Sequence, residues 1–168
     1  DSEGKCYELD DGELLEMTPP GTWHGEVEGE LAYLLKRFLK QSPLGRLMAG
    51  DAGFQLREDR VRAPDLAFVS QERLLAVPNP KRGYYPGAPD LAVEVLSPED
   101  RPGETLLKVS RFLTAGTQMI WLVDPDKERV TVYHANGDLQ ILKAQDTLTG
   151  ADVLPGFACR VADLFPAP

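Results

Sequence analysis

PDLAVEVLSP, at residues 89–98, is the stretch that decides the fold. It places one acidic residue, Glu94, inside a run that is otherwise apolar, as expected of a buried strand. Alternate residues of a strand share a face, and here that face comprises Asp90, Ala92, Glu94 and Leu96. Burying the Glu94 carboxylate costs free energy unless a positive charge compensates for it, and a bound metal ion would supply that charge.

A second segment, PDLAF at residues 64–68, repeats the Pro-Asp opening and predicts a neighbouring strand. Asp65 would share a face with Ala67. Two carboxylates from adjacent strands, Asp65 and Glu94, could hold one divalent ion through oxygen ligands. Pro-Asp pairs also simply open turns, so a turn role remains the alternative for Asp65 and for Asp90.

Hydrophobic periodicity and turn residues divide the whole chain into short elements. In order, they predict a hairpin over 7–17, a helix over 24–41, strands over 52–56 and 65–69, a long connection over 70–88, a strand over 90–96, a helix over 104–115, a strand over 119–123, a hairpin over 130–143, and a tail of loop and short helix over 148–165. Thr22 is the expected N-cap of the first helix and Gly116 the expected C-cap of the second. This order predicts one α+β domain over residues 1–168, with a mixed central sheet flanked by helices and with terminal hairpins.

Both long helices are predicted to turn selected polar residues towards the sheet. At 100° per residue, His24 falls in the middle of the apolar stripe of the first helix, and Glu28 falls at its edge. On the second helix Lys108 borders the buried stripe, whereas Arg111 lies further round and is expected to point to solvent. The plainer interpretations are a core histidine, a surface glutamate and a lysine that extends along the core. Because Lys108→Leu would lengthen the apolar stripe, we expect it to be tolerated or stabilising.

Composition limits the classes of function. The net charge of −9 argues against a nucleic-acid-binding protein with an extended basic face, although a local site stays compatible with it. No apolar run approaches the roughly 20 residues that a membrane span needs, and no secretory leader is visible. Two cysteines at opposite ends of the chain, Cys6 and Cys159, favour reduced thiols and a cytoplasmic location.

Several motifs, in the same order, resemble the Uma-type group of restriction endonucleases within the PD-(D/E)XK nuclease superfamily. The matching residues are 7–17, His24-Gly25, 64–68, 89–98, Lys108, Ala115-Gly116, 121–125 and 154–157. The resemblance covers nearly the whole chain. It implies a restriction-endonuclease-like core and a nuclease activity, whereas the biological role within such a fold is set by the site and not by the fold.

The resemblance also implies roles for particular residues. Asp65 would be the Pro-Asp carboxylate and Glu94 the acidic member of the (D/E)XK element. The lysine of that element should stand at position 96, but the residue there is Leu96, so the resemblance implies that Lys108 has taken over its role. His24 and Glu28 would be the site-facing residues of the first helix.

Two hypotheses about function follow. In the first, a magnesium or manganese ion is held by Asp65, Glu94 and the backbone carbonyl of Val95, and Lys108 assists hydrolysis of a nucleic-acid phosphodiester, with DNA the favoured substrate. His24 is a further catalytic candidate, and a homodimer is expected because duplex cleavage needs two sites. A loop that mixes cations with aromatic side chains suits nucleic-acid contact. Its residues are Lys81, Arg82, Tyr84 and Tyr85. In the second hypothesis, the domain is a degenerate nuclease that serves as an interaction or nucleic-acid-binding module, which Leu96 and the acidic charge would both fit.

Overall fold

The computed structural model describes residues 6–50, 52–77 and 83–166. The helices are α1 Thr22–Gln41, α2 Gln71–Ala76 and α3 Pro102–Thr114, followed by a 3-10 helix over Val161–Leu164. The strands are β1 Cys6–Asp10, β2 Glu13–Met17, β3 Gly45–Ala49, β4 Phe54–Arg57, β5 Arg60–Arg62, β6 Leu66–Ser70, β7 Tyr85–Pro86, β8 Leu91–Val95, β9 Met119–Asp124, β10 Arg129–His134, β11 Leu139–Lys143, β12 Thr147–Gly150 and β13 Leu154–Arg160. Within these described ranges, no helix is long and apolar enough to cross a membrane.

A six-stranded mixed sheet, ordered β11-β10-β9-β8-β6-β3, forms the centre of the fold. Only β8 and β9 run parallel to each other, and the other neighbouring pairs are antiparallel. Successive side chains of β8 point to opposite faces of the sheet. On one face, Leu91, Val93 and Val95 join the large core beneath α1. Ala92, between them, packs with Val109 and other residues of α3 on the opposite face. Glu94, two residues after Ala92, therefore lies on the face of β8 that packs against α3, as the two-residue period of a strand predicted.

A second sheet, ordered β2-β1-β5-β4-β7, is built on the predicted N-terminal hairpin. The hairpin pairs Asp10 with Glu13 across a two-residue turn. Asp11 and Gly12 both have positive φ, 50° and 82°, as a type I′ turn requires. The two acidic residues of β1, Glu8 and Asp10, are thereby fixed against β5 and α3, and both are buried.

Several sequence expectations about elements were wrong. The predicted long connection over 70–88 contains the helix α2 and the strand β7, which are too short to show a clear period in the sequence. In the tail, the expected short helix is present as the 3-10 helix, but the expected loop before it is the β12–β13 hairpin, which the Pro-Gly pair within β13 concealed. Thr22 lies inside α1, and Gly21 precedes the helix as its cap residue. Strand β3 was not predicted, because its sequence lacks clean alternation and only Leu47 is buried. Its first residue, Gly45, passes so close to β6 that a Cβ would collide with the Val69 carbonyl oxygen.

Candidate metal centre

The start of β6 meets the end of β8, and this places Asp65 beside the Glu94 segment. In the antiparallel register Ala67 lies opposite Ala92. Asp65, two residues before Ala67, therefore lies opposite Glu94, two residues after Ala92. The backbone N–H of Val95 donates to Asp65 Oδ2 at 2.6 Å. A carboxylate that accepts a backbone N–H is fixed in orientation, and its second oxygen stays available to a ligand.

The first turns of α1 bring two further ligand groups to Asp65. His24 Nε2 lies 3.3 Å from Asp65 Oδ2, and ligand atoms of His24, Glu28 and Asp65 all lie within 4.8 Å of one another. Hydrogen bonding to Asp65 raises the pKa of His24, against the opposing effect of burial. The predicted convergence of the N-terminal end of α1 with Asp65 is confirmed. Glu28, for which a surface role was the plainer interpretation, is half-buried and belongs to this group.

Glu94 faces a lysine. Lys108 Nζ donates to Glu94 Oε2 at 2.8 Å and to the Ala63 carbonyl oxygen at 3.2 Å. The predicted direction of the Lys108 ammonium is thus confirmed. Burial raises the pKa of Glu94 to about 8, although the nearby ammonium opposes that shift. Burial disfavours the charged form of Lys108, but the charges of Glu94 and Glu8 outweigh burial and raise the lysine pKa, so Lys108 stays charged throughout the titration of Glu94.

Two buried atoms at this place lack a hydrogen-bond partner. Among the residues that the structure describes, neither Glu94 Oε1 nor His24 Nδ1 has one. An unpartnered buried carboxylate oxygen costs free energy, and a bound cation is one partner that would satisfy it. The donor set near these atoms consists of carboxylate oxygens and one imidazole. Carboxylates suit magnesium and manganese, whereas imidazole suits transition metals, so the residues fit a divalent cation and fit manganese best as a set.

The gathered group differs from the ligand set that the sequence suggested. That set was Asp65, Glu94 and the carbonyl of Val95, but the three-residue group shares only Asp65 with it. Val95 supplies its N–H to Asp65, and its backbone acts on the pKa of His24. Glu94 lies close enough to Asp65 for the two charges to interact, while its Oε2 is held by Lys108.

Asp90 lies away from this centre. It precedes β8, four residues or about 13 Å before Glu94 along the strand. Its carboxylate accepts hydrogen bonds from Ser70 N at 2.7 Å, Arg73 Nη1 at 3.1 Å and Gln118 Nε2 at 2.8 Å. These contacts connect Ser70 and α2, which follow β6, to the loop before β9. The Asp90 carboxylate therefore links structural elements and takes no part in the centre.

The predicted substrate-contact loop is divided. Lys81 and Arg82 lie outside the described residues. Tyr84 is 63% exposed and remains accessible to a ligand. Tyr85 is buried, its hydroxyl donates to the Arg73 carbonyl oxygen at 3.2 Å, and its ring packs on another aromatic side chain. Tyr85 is therefore a core residue.

Sequence reasoning missed the ion pairs that connect the N-terminal hairpin to α3. Arg111, expected to face solvent, is only 14% exposed and pairs with Asp10 and Asp11. Glu8 lies 3.4 Å from Lys108 Nζ. The sequence did contain an indication of these ion pairs. Glu8 and Asp10 are two residues apart on one strand and so share a face, and two buried acidic side chains need cations from other elements.

The Uma2 family, described as "Putative restriction endonuclease", matches the sequence over residues 1–162. The chain belongs to the Uma2 family. Among solved structures, this Uma2 chain is similar to one described as a "putative nuclease belonging to DUF820" from Anabaena variabilis, at 22% identity and a TM-score of 0.80. The similarity covers 95% of this chain and 89% of that one, and it confirms the predicted α+β fold class. No curated protein matches the sequence.

Proposed function

We propose that this Uma2 chain is a divalent-metal-dependent nuclease that hydrolyses phosphodiester bonds, with DNA as the substrate. The observation that best supports the proposal is the Lys108–Glu94 contact beside Asp65. It brings an ammonium to the Glu94 carboxylate, although position 96, where the resemblance implies the motif lysine, is Leu96. The site therefore has acidic groups and a cation despite that substitution.

The proposed roles follow from the contacts. Asp65, His24 and Glu28 hold the cation, and Glu94 joins them through its unpartnered Oε1. When bound, a divalent ion supplies Lewis-acid polarisation of the phosphate and lowers the pKa of an attacking water. Lys108 neutralises the charge that develops on the phosphate, because its ammonium stays protonated and is fixed by two acceptors.

Recognition of nucleic acid must be local. With a net charge of −9, the chain gains little from long-range attraction to phosphate, so the bound ion, Lys108 and the exposed Tyr84 are the proposed contacts. We further infer a homodimer, which would present two sites to a duplex, and a cytoplasmic location in keeping with the free Cys6 and Cys159. A monomeric mass in light scattering at working concentration would contradict the dimer.

The direct test is incubation of the purified chain with single- and double-stranded DNA in manganese or magnesium. Asp65→Ala should abolish cleavage. Asp90→Asn is the matched control, because it alters the other Pro-Asp carboxylate, which is buried and hydrogen-bonded but remote from the centre. It should lower stability and leave cleavage per folded molecule unchanged. The proposal fails if the wild-type chain cuts neither substrate with either ion, or if Asp65→Ala cuts as well as the wild type.

The alternative is a degenerate domain that binds partners without hydrolysis, as the substitution at Leu96 would allow. Calorimetric titration with manganese distinguishes the two. Binding that is lost in Asp65→Ala supports the metal centre even before a substrate is found. No binding at millimolar concentration favours the alternative.

A further inference from the structure

Glu8 on β1 is buried at the back of the candidate site. It is 4% exposed, although it carries a carboxylate and lies on a terminal hairpin. Its Oε1 accepts the backbone N–H of Ala63 at 2.8 Å and lies 3.4 Å from Lys108 Nζ. Its Oε2 lies 2.9 Å from Arg62 Nη1. Both oxygens thus have partners.

One peptide unit links these contacts. Ala63 gives its N–H to Glu8 and its carbonyl oxygen accepts from Lys108, so the three residues form a closed ring of contacts. Ala63 stands two residues before Asp65 in the sequence. The ring therefore fixes the lysine of α3 and the segment that leads to Asp65 to each other and to β1.

A lysine side chain depends on neighbouring acceptors to hold its charged group in place, more than an arginine side chain does. Its ammonium sits on a flexible four-carbon stem and has three rotatable donors. Lys108 has three acceptors around it, namely Glu94, Ala63 and Glu8. Glu94 alone could not hold the ammonium reliably, because the same carboxylate is the one proposed to turn towards a cation through its other oxygen.

We propose that Glu8 is a positioning residue that holds the Lys108 ammonium in the site, so that the N-terminal hairpin is a working part of the centre. The inference rests on the proposed function, in which Lys108 faces the phosphate. Glu8 acts as a second anionic anchor, which keeps the lysine in place when Glu94 is shared with the ion. Arg62 balances the remaining charge of Glu8, so that Glu8 itself stays off the ion.

The test uses Glu8→Gln, which preserves size and the acceptor for the Ala63 N–H but removes the charge. The matched control is Asp10→Asn, which is also buried on the same face of β1 but has Arg60 and Arg111 as its main partners, with Arg62 4.0 Å away. In cleavage assays with manganese, Glu8→Gln should lower turnover by about 10- to 100-fold, as is usual for residues that support a site from behind. Its calorimetric affinity for manganese should stay within about threefold of the wild type, well below that range. Asp10→Asn should change neither quantity.

A double-mutant cycle gives a readout without activity. In urea unfolding, Glu8→Gln combined with Lys108→Met should shift the midpoint by clearly less than the two single shifts added together, because each single change already removes the contact. Asp10→Asn combined with Lys108→Met should shift it additively.

The outcomes separate the two proposals. Additive shifts for Glu8 and Lys108 overturn the positioning role, whatever the activity. Coupled shifts with unchanged turnover in Glu8→Gln also overturn it, because the contact would then be structural only. If the wild type cuts nothing, the proposed nuclease function fails, and coupled shifts still establish that Glu8 holds Lys108.

Discussion

Replacement of Lys108 by leucine is the perturbation for which the sequence and the structure give opposite answers. On the helical wheel, leucine would extend the apolar stripe of α3 and be tolerated. In the folded protein, the ammonium lies 2.8 Å from Glu94 and 3.4 Å from Glu8, and all three side chains are at most 16% exposed. Lys108→Leu therefore leaves two buried carboxylates without their shared cation.

The size of the effect follows from two opposing contributions. Removing one partner of a buried ion pair costs about 3–5 kcal/mol, because the remaining charge is left uncompensated. The leucine side chain returns about 1–2 kcal/mol through burial, since the lysine stem already covers part of the same surface. The expected net loss is about 1–4 kcal/mol of unfolding free energy.

This loss should depend on pH with a definite sign. Burial raises the pKa of Glu94 to about 8, far above its value in an unfolded chain. Loss of the ammonium, which lowers this pKa in the wild type, raises the pKa of Glu94 further in the variant. At pH 6 Glu94 is therefore protonated in both folded proteins and needs no cation. At pH 9 the wild-type carboxylate ionises beside Lys108, whereas in the variant it either stays protonated or ionises without a partner. The difference between wild type and Lys108→Leu should thus be larger at pH 9 than at pH 6.

Urea unfolding followed by circular dichroism measures the difference, and the midpoint should fall by about 1 M at pH 9. Lys36→Leu is the control, because Lys36 is exposed and its Nζ donates to the backbone oxygen of Leu47. It should shift the midpoint by well under half as much. Equal stability of Lys108→Leu and the wild type at pH 9 would refute the reasoning, as would a loss that does not grow between pH 6 and pH 9.

Three further predictions concern separate features. Glu28→Gln should weaken manganese binding by about tenfold or more in calorimetry, because it removes one charged ligand of the three-residue group, and an unchanged affinity would exclude it as a ligand. Asp90→Asn should destabilise the chain by about 1–3 kcal/mol in chemical unfolding, because one oxygen then meets a donor in place of an acceptor; an unchanged midpoint would contradict this. Burial raises the pKa of the Cys159 thiol to about 11, so at pH 8 only about one molecule in a thousand carries that thiolate. Iodoacetamide should therefore label the exposed Cys6 before Cys159, as measured by peptide mass spectrometry. Cys159 labelling should rise about tenfold per pH unit from 8 to 10, and equal labelling rates at pH 8 would contradict the assignment.

The sequence by itself determined the local elements of the centre. The apolar run around Glu94 predicted a buried strand, and the observed β8 spans Leu91–Val95. The helical wheel placed His24 inward and Lys108 at the border of its stripe, and both face the site. These inferences succeed because the periods of helices and strands are local properties of the backbone.

Tertiary structure decided which of the two Pro-Asp pairs belongs to the centre. In sequence, Pro64-Asp65 and Pro89-Asp90 look equivalent, since each opens an apolar strand. Because β6 and β8 are antiparallel, the beginning of one strand meets the end of the other, and Asp65 comes level with Glu94. A parallel pairing would have brought the two aspartates together and left Glu94 alone.

Contacts between segments distant in the sequence also decided which partners the charged residues around α3 have. Arg111 has the helical position of a solvent-facing side chain, yet the N-terminal hairpin covers it and supplies its carboxylates. Glu8 lies 100 residues before Lys108 in the chain and reaches it only because β1 is paired with β5. Periodicity assigns a side chain to one face of its own element, whereas the partner that covers that face is chosen by the packing of the whole chain.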